Sequence, residues 1–166
     1  MEKPFPLLAH PYRSPTRGSV AYEMGNTASR NAIIFIGGLK DGPHTTGYIR
    51  HVARELEKLP ELGYSVFEIR MRSSFDGFGT ASLADDVHDI AALVKYLRAI
   101  NREKIILFGH STGCQVFSST CKIHFELNTL TGSRTAWSMP ITQDTPILQW
   151  MASSSRLPSR IERAQR

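Results

Sequence analysis

Lys104-Ile105-Ile106-Leu107-Phe108-Gly109-His110-Ser111-Thr112-Gly113 is the stretch that decides the fold. Its apolar run, β-branched at Ile105 and Ile106, predicts a strand that ends at Gly109. Ser111 then stands between two glycines, so a G-x-S-x-G pattern follows directly on a strand, which is typical of a nucleophile elbow. Glycines suit a tight strand-to-helix turn that holds the Ser111 hydroxyl above the end of a sheet. The alternative is a glycine-rich turn with an incidental serine.

The composition indicates one domain of an ordinary globular kind. The chain has 166 residues, of which 41% are hydrophobic and 21% are charged. Its two cysteines, Cys114 and Cys121, are too few for a disulfide framework, and their spacing fits no zinc signature. Residues 1–8 lack the apolar core of a secretory signal, and no apolar run is long enough to span a bilayer. We therefore expect a cytoplasmic protein without a membrane segment, with reduced thiols.

The net charge of +5 raises the question of an acidic partner such as nucleic acid. The basic residues are scattered along the chain, however, and form no compact patch interleaved with aromatic residues. A solvated basic surface explains the same charge, so no nucleic-acid partner is expected. Nothing in the sequence calls for a metal ion or an organic cofactor.

The apolar patterns predict strands and helices that alternate as in a doubly wound α/β sheet. Apolar or alternating runs predict four strands, at about 19–24, 32–36, 64–69 and 104–108. Apolar stripes at helical spacing predict helices over about 46–59 and 83–100. The short joints of the strand–helix–strand unit over 32–69 predict a right-handed crossover and parallel pairing. The stretch before residue 18 reads as an irregular lead-in.

Gly37–Gly42 follows the strand at 32–36 and contains three glycines. A backbone of this kind can approach a ligand closely and direct its N–H groups at developing negative charge, as an oxyanion hole requires. In α/β-hydrolases one oxyanion donor comes from the loop after the third strand. A plain turn is the alternative, and a phosphate-binding loop is disfavoured because no G-x-x-x-x-G-K-[ST] pattern is present.

Acidic residues cluster at the start of the second predicted helix. Ser82 with Asp85 three positions later predicts a capping box, with Asp in place of the usual Glu or Gln. Asp86 and Asp89 follow, near the positive end of the helix dipole. We interpret the three carboxylates as capping groups and a solvated helix face, because no second group of ligands faces them for a metal or an acid–base pair.

Three motifs in order carry a resemblance to a known family. They are residues 34–42 (Ile-Phe-Ile-Gly-Gly-Leu-Lys-Asp-Gly), residues 73–83 leading to Asp86, and residues 109–115 (Gly-His-Ser-Thr-Gly-Cys-Gln). Over roughly residues 5–115 the chain resembles a fungal branch of the α/β-hydrolases, formerly described as a domain of unknown function, that includes esterases of fusarinine-type siderophores. The resemblance implies an α/β fold, namely the N-terminal half of an α/β-hydrolase with a parallel sheet and flanking helices.

The resemblance also implies the roles of individual residues. Ser111 is the nucleophile in this interpretation, framed by the elbow residues Gly109, His110 and Gly113. The N–H of Thr112 is one oxyanion donor, and the loop at Gly38 and Leu39 supplies the other. The implied substrate is a small-molecule ester, a siderophore ester being the example that the family offers.

The pattern changes after Gln115. Ser, Thr and Pro punctuate residues 116–166, and no strand–helix alternation is visible there. We therefore divide the chain into a lead-in (1–17), a partial α/β-hydrolase domain (18–115) and a low-order tail (116–166). A tail of this kind is expected where translation continues through an unspliced intron or a shifted frame, and a divergent lid or partner-binding tail is the alternative.

The expected chemistry lacks a base. A serine hydroxyl needs a histidine to take its proton and a carboxylate to orient that histidine. His124 lies thirteen residues after Ser111, about 20 Å away along a helix, and so is not a credible base. His44 and His51 precede the nucleophile against the usual order, although the sequence does not forbid either as a nonstandard base. Asp144 and Glu162 could serve as the acid only if the tail folded back.

Two functions from different classes remain after these observations. One is a serine esterase of the carboxylester type, impaired in this chain because the triad acid and base are missing. The other is a non-catalytic α/β-hydrolase-like protein that binds a small ester or a partner. In either case the strand at 104–108 would lie in the interior of a complete sheet, and without later strands it becomes an exposed edge that invites self-association.

Overall fold

The computed structural model describes residues 5–116 and 118–120. Its elements form one sheet with a helix on each face. In chain order they are β1 (Leu8–Pro11), β2 (Val20–Met24), β3 (Asn31–Ile36), α1 (Tyr48–Glu57), β4 (Tyr64–Ile69), α2 (Leu83–Ala99) and β5 (Ile105–Gly109). Two 3₁₀ turns, Pro60–Leu62 and Phe75–Gly79, precede β4 and α2.

The sheet is mixed rather than wholly parallel. Its strand order is β1-β2-β4-β3-β5, in which β3 pairs in parallel with both β4 and β5. The strands β1 and β2 are antiparallel to their neighbours. The predicted parallel pairing therefore holds for β3, β4 and β5 and does not extend to β2. β2 is not paired with β3, the next strand along the chain, but lies antiparallel to β4.

β1 lies inside the stretch predicted to be an irregular lead-in. Leu8–Pro11 pairs with β2 through four residues, although three of its four side chains are exposed or nearly so. An edge strand with a proline at its end carries no apolar alternation, so its sequence gives little sign of it. Residues 8–11 therefore form a strand because they pair with β2, and not because of their own β propensity.

The core has two layers, one on each face of the sheet. Alternate side chains of β3 point to opposite faces. Ile34 and Ile36 pack with α2 residues such as Ile90 and Leu93, whereas Ile33 and Phe35 pack with α1. β3 is therefore buried on both faces, as its unbroken apolar run predicts.

α2 begins with the predicted capping box. The Asp85 N–H donates to the Ser82 hydroxyl at 3.2 Å, and the Ser82 N–H donates to Asp85 Oδ2 at 2.9 Å. Leu83, the first residue of the helix, is 43% exposed, whereas later apolar residues such as Ile90 and Leu93 are buried. The helix therefore starts and ends close to the predicted bounds.

The prediction of a solvated acidic face is wrong for Asp86 and Asp89, since both are buried. Asp89 accepts hydrogen bonds from Ser14, from Thr16 and from the Arg72 N–H, and Asp86 accepts from the Ser73 N–H at 3.1 Å. Burial raises the pKa of Asp86 above its ordinary value, and the bonds from Ser73 oppose that rise. These carboxylates join the helix to two loops, and so their role is structural.

A buried ionic network lies at the other end of β5 from Ser111. Arg102 lies in the loop between α2 and β5, and its guanidinium donates to Glu23 Oε1 at 2.7 Å and to the carbonyl oxygens of Ser29 and Thr27. His10 Nε2 lies 2.8 Å from the other carboxylate oxygen of Glu23. The network joins β1, β2 and the α2–β5 loop through side chains far apart in sequence.

After β5 the chain turns at residues 110–112 and is helical at 113–116 and 118–120. Val116 belongs to the core cluster on the α2 side of the sheet, and Thr120 is buried. The helix thus continues beyond Gln115, while the proposed division at that residue stays a prediction. No helix in the described part of the chain has the length and apolar character needed to cross a membrane.

Candidate active site

The register of the parallel strands brings the two glycine-containing loops together. Ile36, the last residue of β3, pairs with Gly109, the last residue of β5. The His110 N–H then donates to the Ile36 carbonyl oxygen at 2.9 Å, which extends the ladder one step beyond the strand. The loops that follow, at Gly37 and at Ser111, therefore leave the sheet side by side at its carboxyl end.

Ser111 stands at this edge with an exposed side chain and a left-handed backbone. Its φ is +53°, a conformation that costs a residue with a Cβ atom about 1 kcal/mol or more. The Gly113 N–H donates to the His110 oxygen at 2.8 Å, and the Cys114 N–H donates to the Ser111 oxygen at 3.0 Å. The strand thus turns into a helix within three residues, and the serine lies at the apex of the turn.

The glycines around Ser111 are sites of close backbone approach. A Cβ atom at Gly109 would lie 2.8 Å from the Gly113 oxygen, and one at Gly113 would lie 2.5 Å from the Gly37 oxygen. A Cβ atom at Gly38 would lie 3.0 Å from Ser111 Cβ. The structure therefore brings together the two segments that the sequence predicted to meet, and it does so because their glycines lack side chains.

The predicted oxyanion donors occupy different environments. The Gly38 N–H donates to Asp41 Oδ2 at 2.7 Å, so this amide is already engaged. Leu39 is exposed, and Thr112, half-buried, lies at the start of the helix that follows Ser111. Within residues 5–116 and 118–120, neither the Leu39 N–H nor the Thr112 N–H has a hydrogen-bond acceptor. Two of the three predicted donors therefore have amides that could serve a ligand.

His110, predicted to be part of the elbow, has its ring among aromatic side chains. The ring packs against Tyr48 of α1, with centroids 5.6 Å apart, and near Phe35 at 6.5 Å. Burial, followed by the nearby Asp41 carboxylate and Cys114, raises the pKa of Tyr48 above its ordinary value. The imidazole therefore serves as a packing group between β5 and α1.

His44, considered above as a nonstandard base, is engaged with Glu68 of β4. Its Nδ1 lies 2.8 Å from Glu68 Oε2, an ion-pair distance without hydrogen-bond alignment, and its backbone N–H donates to the same carboxylate at 3.2 Å. Its ring also packs on Tyr22, with centroids 4.9 Å apart. Burial raises the pKa of Glu68, and the hydrogen bonds and charge of His44 oppose the rise. His44 thus faces β2 and β4.

The remaining predicted acid and base candidates are not at the site or lie outside the described residues. His51 is exposed on α1. His124, Asp144 and Glu162 lie outside the described residues. In the described part of the chain, His, Cys, Asp and Glu side chains form no group of three that could hold a metal ion.

A small cavity lies beneath the glycine loop and does not include Ser111. Its volume is about 10 Å³, room for about one water molecule, and Gly37, Asp41, Glu68 and Ser74 are among its lining residues. A cavity of this size is no substrate pocket. Ser111 itself is exposed.

Two residues near the loop have a structural role that the sequence motifs do not indicate. Asp41 lies within the glycine-rich motif, and its side chain accepts from the N–H three positions earlier, as short polar side chains in turns can do. Phe75 has a φ of +60° and an exposed ring that lies on Gly42, where a Cβ atom would collide with the ring. No sequence signal indicates the conformation of Phe75, since phenylalanine rarely adopts it.

The strand order and the serine-bearing turn define the class: the fold is that of the α/β-hydrolases. The solved structure of a siderophore hydrolase, EstB from Aspergillus fumigatus, matches with a TM-score of 0.56 and 32% identity, over 67% of this chain and 34% of that one. A second α/β-hydrolase-fold protein of unknown function matches with a TM-score of 0.60 and 22% identity, which supports the fold alone.

The chain belongs to the family described as "Protein of unknown function (DUF1749)", whose model matches residues 1–132. The match extends beyond Gln115, the point at which the resemblance was expected to end. The chain is 32% identical over 131 residues to the fusarinine C esterase sidJ of Aspergillus fumigatus, covering 72% of this chain and 34% of that protein. It is 30% identical over 122 residues to the esterase AN6793 of Emericella nidulans, covering 69% of this chain and 32% of that protein. The chain thus spans about a third of the length of these relatives.

Proposed function

We propose that this chain carries the nucleophile and oxyanion half of a serine esterase site, with Ser111 as the nucleophile of a nucleophile elbow. The observation that supports this most directly is the left-handed, exposed Ser111 at the carboxyl end of β5, beside Gly38. A strained serine at a strand-to-helix turn is the arrangement that exposes a hydroxyl for attack. Relatives described as esterases support the same chemistry.

The proposed reaction begins with attack on an ester carbonyl. The Ser111 oxygen bonds to the carbonyl carbon, and the electron pair of the C=O bond moves to the oxygen. The N–H groups of Thr112 and of the loop at Gly38 and Leu39 would stabilise that oxyanion. Collapse of the intermediate re-forms the C=O bond and breaks the ester C–O bond; the leaving oxygen takes up the proton that Ser111 lost and departs as the alcohol, and water then hydrolyses the acyl-serine. We propose a small-molecule ester as substrate, and a siderophore ester in particular because relatives carry that description.

We further propose that this chain turns over esters slowly. The Ser111 proton needs a base, and two histidines of the described residues near the loops have other partners: His44 lies against Glu68 and His110 packs on Tyr48. Removing a triad member costs several orders of magnitude in rate. The division into a partial domain and a tail after Gln115, and the truncated origin of that tail, stay predictions that the gene sequence beyond the codon for Gln115 would check.

A non-catalytic binding protein is the second candidate. The engaged histidines favour it, because an ester could occupy the Ser111 edge without being attacked. A cytoplasmic location suits either function, since the exposed thiol of Cys114 would persist unoxidised in a reducing compartment.

A fluorophosphonate probe tests the proposed function on the full chain. We expect slow labelling that is abolished in Ser111→Ala and retained in Ser118→Ala, a matched change at an exposed serine of the following helix. Mass spectrometry of the tryptic peptides locates the label. A folded wild-type chain that takes up no label would contradict an activated serine and favour the binding protein.

We also propose that the chain self-associates through β5. Among the described residues, the strand order of the sheet ends at β5, which pairs with β3. A strand at the edge of a sheet is a template for pairing with another chain. Light scattering over a range of protein concentrations should give a mass above that of one chain and rising with concentration. A constant monomer mass, retained after limited proteolysis of residues beyond 120, would rule this proposal out.

A further inference from the structure

The loop after β3 is organised around Asp41. Both oxygens of its carboxylate accept hydrogen bonds, Oδ2 from the Gly38 N–H at 2.7 Å and Oδ1 from the Thr45 hydroxyl at 3.0 Å. Its backbone N–H donates to the Gly38 carbonyl oxygen at 3.0 Å, which closes a four-residue turn. Asp41 therefore holds Gly38 through both its side chain and its main chain.

Asp41 also joins this loop to the neighbouring one. Its carbonyl oxygen accepts a hydrogen bond from the Phe75 N–H at 3.2 Å, and the Phe75 ring lies against Gly42. The backbone of Phe75 has a φ of +60°, a conformation that is strained for a residue with a Cβ atom. The two loops beside Ser111 are thus fixed to each other at Asp41.

The site at Gly38 is tightly confined. A single Cβ atom built on Gly38 would touch Ser111 Cβ at 3.0 Å on one side and Asp41 Oδ2 at 3.2 Å on the other. The Asp41 carboxylate and the serine therefore flank the same glycine, and the turn that Asp41 closes sets where the next amide, that of Leu39, lies. A carboxylate that has two hydrogen-bond donors can stand near a developing oxyanion at less electrostatic cost than a bare one.

We propose that Asp41 is a positioning residue of the oxyanion loop. Its carboxylate takes up the Gly38 N–H and so leaves the Leu39 N–H, together with that of Thr112, as the pair of donors for the oxyanion. This inference rests on the proposed function for its catalytic meaning, since the donors matter only if Ser111 attacks an ester. The hydrogen-bond arrangement itself is independent of activity.

The first experiment uses NMR to measure amide hydrogen exchange in the full chain before any treatment with the fluorophosphonate probe. The Gly38 amide should exchange slowly and the Leu39 amide rapidly, because only the former has an acceptor. Asp41→Ala should speed exchange at Gly38 by at least about tenfold, whereas Asp41→Asn should not, since its amide oxygen still accepts. Rapid exchange at Gly38 in the wild-type chain would overturn the proposal without any variant and whether or not Ser111 is active.

The second experiment separates the saturable affinity of the fluorophosphonate probe from its first-order rate of reaction. An oxyanion donor acts on the transition state, so Asp41→Ala should lower the rate at least about tenfold with little change in affinity. Asp41→Asn should stay within about threefold of wild type. Asp76→Ala, which removes an exposed carboxylate of the neighbouring loop, is the matched control and should change neither quantity.

Three outcomes of the kinetics would contradict the proposal. They are an Asn variant as slow as the Ala variant, a faster reaction in both, or an equal loss in Asp76→Ala. If the wild-type chain takes up no label, the proposed esterase function fails, and the exchange rates alone then decide whether Asp41 holds Gly38. Failure of the two proposals is therefore distinguishable.

Discussion

Replacing Glu23 with alanine is expected to lower the free energy of unfolding by about 3–5 kcal/mol. The substitution leaves the buried Arg102 guanidinium without the carboxylate that it contacts at 2.7 Å, and it leaves His10 without its partner at 2.8 Å. The low-dielectric surroundings that strengthen the pair also make a lone charge costly. Urea unfolding followed by circular dichroism would measure the loss.

The exposed pair of Arg30 and Glu103 provides the matched control. Arg30 Nε lies 3.2 Å from Glu103 Oε1, with both side chains more than half exposed. Glu103→Ala should cost under about 1 kcal/mol, because solvent screens such a pair. If Glu23→Ala costs no more than Glu103→Ala, the Arg102 charge must be solvated in the native protein and the buried network is wrong.

Gly113→Ala should disrupt the turn at Ser111 and cost about 3 kcal/mol or more. A Cβ atom at this position would enter the contact distance of the Ile36 oxygen and lie 2.5 Å from the Gly37 oxygen. Both atoms are backbone at the end of β3, so relief requires the helix start to move away from the sheet. That movement would separate Ser111 from Gly38, and fluorophosphonate labelling should fall along with the melting temperature.

Gly79→Ala is the appropriate comparison for this substitution. A Cβ atom at Gly79 would meet nothing within 4 Å, and its φ lies outside the left-handed region. We expect a change in stability within about 0.5 kcal/mol. A Gly113→Ala protein with the wild-type melting temperature would show that the end of β3 and the start of the helix are farther apart than the structure has them.

The elements β3 and α2 were predictable because apolar residues recur at the expected spacing along the whole of each element. The apolar run of β3 and the stripe of α2 indicate their own burial, and Ser82 with Asp85 indicates where α2 begins. β1 carries no such signal, since it is an edge strand whose stability comes from pairing with β2. The direction of β2 depended on strand order, which no local pattern contains.

The candidate site also has one part that the sequence predicts and one part that it does not. Ser111 and Gly38 could be predicted to meet, because the carboxyl ends of parallel strands lie at one edge of the sheet and glycines permit close approach. The hydrogen bond from the Gly38 N–H to Asp41 could not be predicted, because the sequence does not show which of Gly38 and Leu39 has a free N–H. The same is true of His44, whose partner Glu68 lies 24 positions away.

The amino-acid sequence by itself determined the α/β class, the strand that precedes Ser111, and the membership that the family model confirms. These depend on periodicity and on short motifs, which are local properties of the chain. Only the tertiary structure decided the mixed sheet, the burial of Asp86 and Asp89, and the network of Glu23 with Arg102. Those features arise from contacts between distant residues, and their free energy comes from burial that exists only once the sheet has formed.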